Sequence, residues 1–338
     1  MEAIVIKKIL VGLCVLAFTV GVLSVNMSAQ SQSCVTWVAT TWNQYYSYQG
    51  CPPGYIQYQV YGPGLVQCQM PVCPPTPECS GCGNPTAGQP INLVTGDTDI
   101  KQTDVKIPGL SGGLTLVRTW NSIWPSNETA YQVGLFGPNW RSTYEERVFV
   151  GNDNYLKYAR SDGGFWSFVY KGGTYAPVSP GNATATLTQG STYWTLMFQN
   201  GEQRRFDNNS GSLIAIIDRN GNTTQISYDG TNRLVTVTDP ASRHLTFSYA
   251  SGTSRLVTSV TSDVGGLTLS YSYDGQGRLS QVTYPDLTTV SFTYNSQSLI
   301  TSVTDQNGKV LESHTYDSNG RGLTGSQAGN VNAVTVTY

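Results

Sequence analysis

Tyr228-Asp229-Gly230-Thr231-Asn232-Arg233-Leu234 opens a passage that continues Val235-Thr236-Val237-Thr238-Asp239 and closes on His244-Leu245-Thr246-Phe247-Ser248-Tyr249. It returns as Tyr273-Asp274-Gly275-Gln276-Gly277-Arg278-Leu279, then Val282-Thr283 and Val290-Ser291-Phe292-Thr293-Tyr294. Outward from these copies an aromatic stands at Phe206, Tyr228, Tyr249, Tyr271 or Tyr273, Tyr294, Tyr316 and Tyr338, mostly 21 or 22 residues apart. A fixed period of this size marks an array of supersecondary units. Within each unit β-branched or aromatic residues alternate with small polar ones, the period of two of a strand with one buried face. Asp-Gly, Asp-Pro and Asn-Gly pairs punctuate the strands where turns need special backbone angles. Each unit is thus two strands and two turns. It cannot bury its apolar face alone, so neighbours are expected to pair edge to edge into one long, twisted antiparallel sheet. At Tyr338 an unprotected edge is expected, met by further chain or by an associating partner.

The composition suits such a sheet. Only 12% of the 338 residues are charged, against roughly 25% ordinarily. A net charge of −2 lacks the basic footprint of a nucleic-acid or anionic-membrane binder. The two histidines, His244 and His314, are too few for a His-rich metal centre. Both stand in alternating strand text, where an exposed position explains them. No nucleophile elbow, phosphate loop or metalloprotease motif occurs, so no catalytic residue, metal or cofactor is expected. Two carboxylate clusters, Glu145 with Glu146 and Asp97 with Asp99, read as solvated surface groups. Adjacent strand residues point to opposite faces, so Glu145 and Glu146 are not expected to face one substrate.

The N-terminal part reads differently. Lys7 and Lys8 precede an uncharged, mostly apolar run from Ile9 to Val25, followed by Met27-Ser28-Ala29-Gln30-Ser31. Residues 1–31 therefore read as a secretory signal, which places the protein outside the cell or on its surface. The run would span roughly 26 Å as a helix against about 30 Å of hydrocarbon, so an uncleaved anchor is the alternative and the one route to a membrane. Residues 32–83 hold Cys34, Cys51, Cys68, Cys73, Cys79 and Cys82. An even, clustered set in an exported chain reads as disulfides, whose connectivity the sequence does not choose. A zinc knuckle from the last four is the competing reading, but their spacings do not form two matched pairs. In the same module Trp37, Trp42, Tyr45 and Tyr48 offer apolar faces with hydrogen-bonding rims, suited to packing on cystines or to stacking on a sugar or a protein partner. Pro71, Pro74, Pro75 and Pro77 stiffen the linker that ends it.

The repeat text resembles the Rhs/YD-repeat family, whose hallmark is Tyr-Asp-x-x-Gly/Asn-Arg-Leu followed by a strand. The match is close at Tyr228 to Leu234 and at Tyr273 to Leu279. At Tyr316-Asp317-Ser318-Asn319-Gly320-Arg321 the Leu is displaced to Leu323, and Tyr249 and Tyr294 lead copies without the Asp. About six repeats occupy residues 206–338. Within residues 84–205, Leu116-Val117-Arg118-Thr119-Trp120-Asn121-Ser122 and Gly134-Leu135-Phe136-Gly137-Pro138-Asn139-Trp140-Arg141 are similar to the strand-rich domain that precedes the repeats in Rhs proteins. The resemblance implies an all-β fold: a small disulfide-rich module, then a strand-rich domain running into a YD-repeat antiparallel β array, part of an Rhs-type β shell. In this family the strip winds into a hollow shell that can enclose a C-terminal toxin, and some relatives use their repeats in surface adhesion.

Six repeats are too few to close a shell on that analogy. The family's aspartic self-cleavage core is also missing, since the Asp239-Pro240 pair lies inside a repeat turn. The implied function is a secreted or cell-surface scaffold without enzymatic activity, the N-terminal part of a shell. Its expected partners are downstream residues of a longer chain, or a cell-surface glycan or protein. The alternative is an adhesin that uses the aromatic module. Within the repeats, Asp229, Asp274 and Asp317 are expected to form turns by bonding nearby backbone. Arg233, Arg278 and Arg321 are expected to stack or pair beside the tyrosines.

Overall fold

The computed structural model describes residues 91–125, 128, 131–250 and 254–338, and nearer the N-terminus only the backbone of four strands, Gln44–Ser47, Ile56–Gly62, Leu65–Gln69 and Thr86–Ala87. The described residues all fall within one compact unit, residues 37–338. The signal reading, the disulfides and the aromatic platform of Trp37, Trp42 and Tyr48 fall outside the described residues; Tyr45 and Cys68 enter only as paired backbone positions of a small sheet.

The described part is built from strands and contains no α-helix. A single antiparallel sheet of 19 strands runs from Arg147–Val150 to Val331–Thr335, each strand pairing with its neighbours in sequence. It passes the start of the repeats without a break, because Gln203–Asp207 pairs with Tyr193–Phe198 on one side and Leu213–Ile217 on the other. A second sheet places Leu114–Asn121 between Asp99–Ile107 and Trp140–Ser142.

Each repeat follows its polarity pattern with one systematic departure. In His244–Tyr249 the alternation is regular: Leu245 and Phe247 are buried, Thr246 and Ser248 exposed. In the partner strand Val257–Ser262 the inward residues Val257 and Val260 are three apart. Ser248 faces Ser259 while Tyr249 faces Val257, which leaves Thr258 as an extra residue in a β-bulge. The same shift falls just before Tyr228, Tyr273, Tyr294 and Tyr316. A bulge bends its strand and increases the local twist, so every repeat imposes the same turn on the sheet. It also explains why Leu234 and Val237, Leu279 and Val282, and Ile300 and Val303 all point inward.

The repeat turns place their backbone demand on one position. Asn232, Gly277 and Gly320, each just before the arginine, have φ of 59°, 75° and 80°. Gly230 and Gly275 do not adopt this left-handed conformation, and Ser318 replaces them in the third copy. Asn and Gly are the residues that tolerate positive φ, which accounts for the Gly/Asn choice in the motif.

Residues 99–147 cover the inner face of the repeat sheet and complete one apolar core. Phe136 meets Tyr271 with ring centroids 4.7 Å apart, Trp140 meets Phe292 at 5.4 Å, and Tyr144 meets Phe247 at 6.5 Å. Backbone contacts fix the same seam: the Val257 N–H donates to the Leu135 carbonyl at 2.9 Å.

Candidate functional site

The side chains that recur in every repeat spend themselves on one another. Tyr228, Tyr249, Tyr273, Tyr294, Tyr316 and Tyr338 each donate their hydroxyl to a carbonyl in the preceding repeat, those of Leu213, Leu234, Val257, Leu279, Ile300 and Gly322, at 2.7–3.0 Å. Burial pushes these phenols above their ordinary pKa, Tyr294 to about 12, so they stay protonated donors.

Asp229 caps its turn by accepting the Thr231 and Arg233 N–H groups at 2.9 and 3.0 Å and takes Arg233 Nε at 2.7 Å. Asp274 and Arg278 repeat this geometry, as do Asp317 and Arg321. Asp239 and Arg243 form the same pair, so the Asp239-Pro240 peptide sits in a structural turn. The Arg233 backbone N–H, helped by the Thr231 hydroxyl and the Arg233 side chain, holds the Asp229 carboxyl far below its usual range. Each arginine then reaches the next repeat: Arg233 lies 4.9 Å over Tyr249, Arg278 4.6 Å over Tyr294 and Arg321 4.3 Å over Tyr338. The motif is thus a coupling device in which Asp fixes Arg, Arg stacks on the next Tyr, and that Tyr bonds back.

Residues missed in the sequence form the anchor between this sheet and residues 99–147. Arg118 is completely buried, bonded through Nε and Nη2 to Asp104, the latter at 2.9 Å. Its guanidinium stands 4.7 Å from the Trp140 ring centroid and 5.5 Å from those of Phe136 and Tyr271. Tyr271 and Tyr284 donate to the same Asp104 carboxylate at 2.8 and 3.4 Å. Burial alone would lower the Arg118 pKa, but the Asp104 charge and hydrogen bonds outweigh it and raise the value. A lone arginine in strand text carries no signal of this.

The structure corrects three expectations about charged groups. Glu146 is buried, and Glu145 Oε2 is shut off from solvent. Both residues lie in the link between Trp140–Ser142 and Arg147–Val150, where strand alternation does not apply, and both line one cavity. Asp97 is buried, accepting the Ile123 N–H at 2.8 Å, and the carboxyl of Asp99 is pushed up to about 6 by burial and by the charge of Asp162. His314 is not on an exposed face either: it is buried, with Nε2 3.5 Å from Glu312. Counting back from Tyr316, Glu312 and His314 occupy the inward places that Val290 and Phe292 hold one repeat earlier, and Gly322 and Gly325 stand where Ile300 and Val303 do. Gly322 leaves room for residues 91–98, since a Cβ there would lie 2.3 Å from Thr98 Oγ1. His244 is partly exposed and bonds Asp263 at 3.0 Å. Among the described residues, no cluster of His, Cys, Asp or Glu could hold a metal ion, and no helix is long and apolar enough to cross a membrane.

Comparison with known sequences places these features. Residues 88–168 match the family described as Domain of unknown function (DUF6531), and residues 208–244, 228–265 and 251–289 match the RHS Repeat family. The tRNA nuclease WapA of Bacillus subtilis strain 168 is 29% identical over 145 residues, 43% of this chain and 6% of that protein. The tRNA(Glu)-specific nuclease WapA of Bacillus subtilis subsp. natto matches with the same identity and the same shares. Among solved structures, the Photorhabdus luminescens Tc holotoxin pore aligns with 68% of this chain and 14% of its own, at 12% identity and a TM-score of 0.31. The TcdB2-TccC3 complex aligns over 68% and 15%, at 14% identity and a TM-score of 0.29. With three overlapping matches lying on the Tyr-Asp-Arg ladder itself, residues 208–289 of the chain are repeats of the Rhs/YD type.

Proposed function

We propose that this protein is a secreted or cell-surface scaffold without catalytic activity, made of a leader (residues 1–31), a disulfide-stapled module and linker (32–83), a strand-rich domain (84–205) and about six YD repeats (206–338). The observation that carries this reading is the fate of the reactive side chains. In each full copy the Asp, Arg and Tyr that could do chemistry are engaged by one another or by backbone. The anchor does the same with Arg118, Asp104 and Tyr271. Its partners in this reading are further residues of a longer chain, or a glycan or protein of a cell surface. The nucleases named above are matched over 6% of their length, and their activity is left with them.

Production of the chain with residues 1–31 in place, followed by fractionation and protease treatment of intact cells, tests the location. Protein in the medium or digested at the surface is expected; protein protected inside intact cells overturns the location. Hydrolysis of tRNA by the purified chain overturns the non-catalytic part.

A further inference from the structure

A cavity of about 290 Å³ opens where residues 131–147 meet the first repeats, and Arg141, Arg147 and Arg255 stand in its lining with Glu145 and Glu146. Their partners set these three arginines apart. Arg118, Arg160, Arg204 and the repeat arginines Arg233, Arg278 and Arg321 each sit on a carboxylate. Among the described residues, the three at the cavity donate only to neutral oxygens. Arg141 Nη1 bonds the Trp140 carbonyl at 2.9 Å, and Arg147 Nη2 bonds Ser212 Oγ at 3.0 Å and the Ser210 carbonyl at 3.4 Å. Arg255, at the exposed rim, is held by the carbonyls of Thr231 and Asn232 at 3.0 and 3.3 Å.

Arg141 is the informative wall. It is 5% exposed, and the Trp124 ring backs its guanidinium at 4.4 Å, which fixes the group while Nε and Nη2 have no hydrogen-bond partner among the described residues. Burial lowers its pKa to about 10; the Glu145 charge offsets part of this and the charge of Arg147 adds to it. A buried guanidinium is costly unless an anion meets it, so one left short of acceptors beside a cavity points to an occupant that accepts. The two glutamates do not fill that role. Glu146 Oε2 takes Arg204 Nε at 3.2 Å. Glu145 Oε1 accepts the Leu135 N–H at 2.6 Å, the Ser142 hydroxyl bonds the same carboxyl, and burial raises its pKa, which weakens it as a counter-ion. With Glu146 engaged by Arg204, three guanidinium groups face one carboxyl across the cavity. A single carboxylate would meet half of that surplus, whereas a phosphate dianion matches it and suits the planar donors of arginine.

We propose that this cavity binds a phosphate group, its oxygens accepting from Arg141 and Arg147 on the inner walls and from Arg255 at the rim. The group is either the free ion or the terminal phosphate of a larger molecule, two sources of one chemistry. The site uses none of the aromatic residues of the N-terminal module and is independent of the scaffold reading, which stands whether or not phosphate binds.

Calorimetric titration of the full chain with inorganic phosphate, glycerol 3-phosphate and acetate, at pH 7 and low salt, tests it. Saturable binding of at least one phosphate compound is expected, with acetate roughly tenfold weaker or more and a melting temperature that rises with phosphate concentration. Tighter binding of the free ion assigns the site to inorganic phosphate, and tighter binding of the ester assigns it to the end of a larger molecule. Arg255→Met, at an exposed position, should weaken binding roughly tenfold, the loss of a charged hydrogen bond, with little change in the ligand-free melting temperature. Arg141→Met should abolish the phosphate-dependent rise. The proposal is overturned if neither phosphate compound saturates, leaving a water-filled cavity, if acetate binds as tightly, or if both variants bind phosphate as the parent does, which would place the ion elsewhere.

Discussion

The Tyr271 hydroxyl donates to Asp104 Oδ2 at 2.8 Å across 167 residues of chain. One carboxylate thereby serves a phenol on the inner face of the repeat sheet and the buried guanidinium of Arg118 behind it. Removing the carboxylate strands a fully buried positive charge, and Asp104→Ala should destabilise the fold by about 3–5 kcal/mol. The pair Arg118→Met with Asp104→Asn should regain most of that, because no charge is left and Asn still accepts from Tyr271. Urea denaturation of the single and double variants decides. Equal losses in both would mean that the packing around Arg118, and not its charge, holds the two parts together.

The hydroxyl and the ring of a ladder tyrosine are separable. Tyr273→Phe removes one bond to the Val257 carbonyl and should cost about 0.5–1.5 kcal/mol. Tyr273→Ala also removes the buried ring, and about 3–5 kcal/mol is expected. Thermal unfolding that shows no loss in either variant would remove the ladder as a source of stability.

Two glycines two residues apart should behave differently. Gly277 has a φ of 75°, and a Cβ there would meet only Leu256 Cδ1 at an ordinary 3.7 Å, so Gly277→Ala should cost about 1–2 kcal/mol from backbone strain alone. Gly275 is free of that constraint, and Gly275→Ala should stay within about 0.5 kcal/mol of the parent. Equal effects at the two positions would contradict the turn geometry.

These two positions also show how far the sequence reaches. The period, the alternation and the Asp-Gly and Asn-Gly pairs are local signals, and they place the strands and turns of residues 206–338 correctly. The Asp-Gly pair suggested that Gly230 and Gly275 carry the special backbone angle, while the chain places it at Asn232 and Gly277. The bulge before each tyrosine has no mark in the text beyond inward residues spaced by three. Arg118, Glu145, Asp97 and His314 were illegible for another reason: their burial comes from elements far away in sequence, and polarity alone reads such residues as surface.

Asp99 gives the pH dependence a sign. Its carboxyl titrates at about 6 in the folded chain and near 4 when unfolded, so the folded state binds the extra proton. The stability from this group is complete below the unfolded value and is lost as pH rises through 6. Asp99→Asn should therefore raise stability at pH 7, by on the order of 1–3 kcal/mol, and leave it nearly unchanged at pH 4. Denaturation midpoints at the two pH values measure it, and an equal shift at both would assign the effect to something other than titration.

The bonds of the ladder always join a residue to one 15 or 16 positions earlier, and each arginine always meets the tyrosine one unit ahead. The tyrosine bond recurs in every unit and the arginine stack in every second one, so a pair of adjacent units is interchangeable with the next pair at the level of its linkages. Unequal recombination that duplicates or deletes such a pair in the gene would preserve each of them, whereas loss of a single codon within a strand would turn its apolar side chains outward. Arrays of this kind can change length in evolution one pair of units at a time without relearning how to fold.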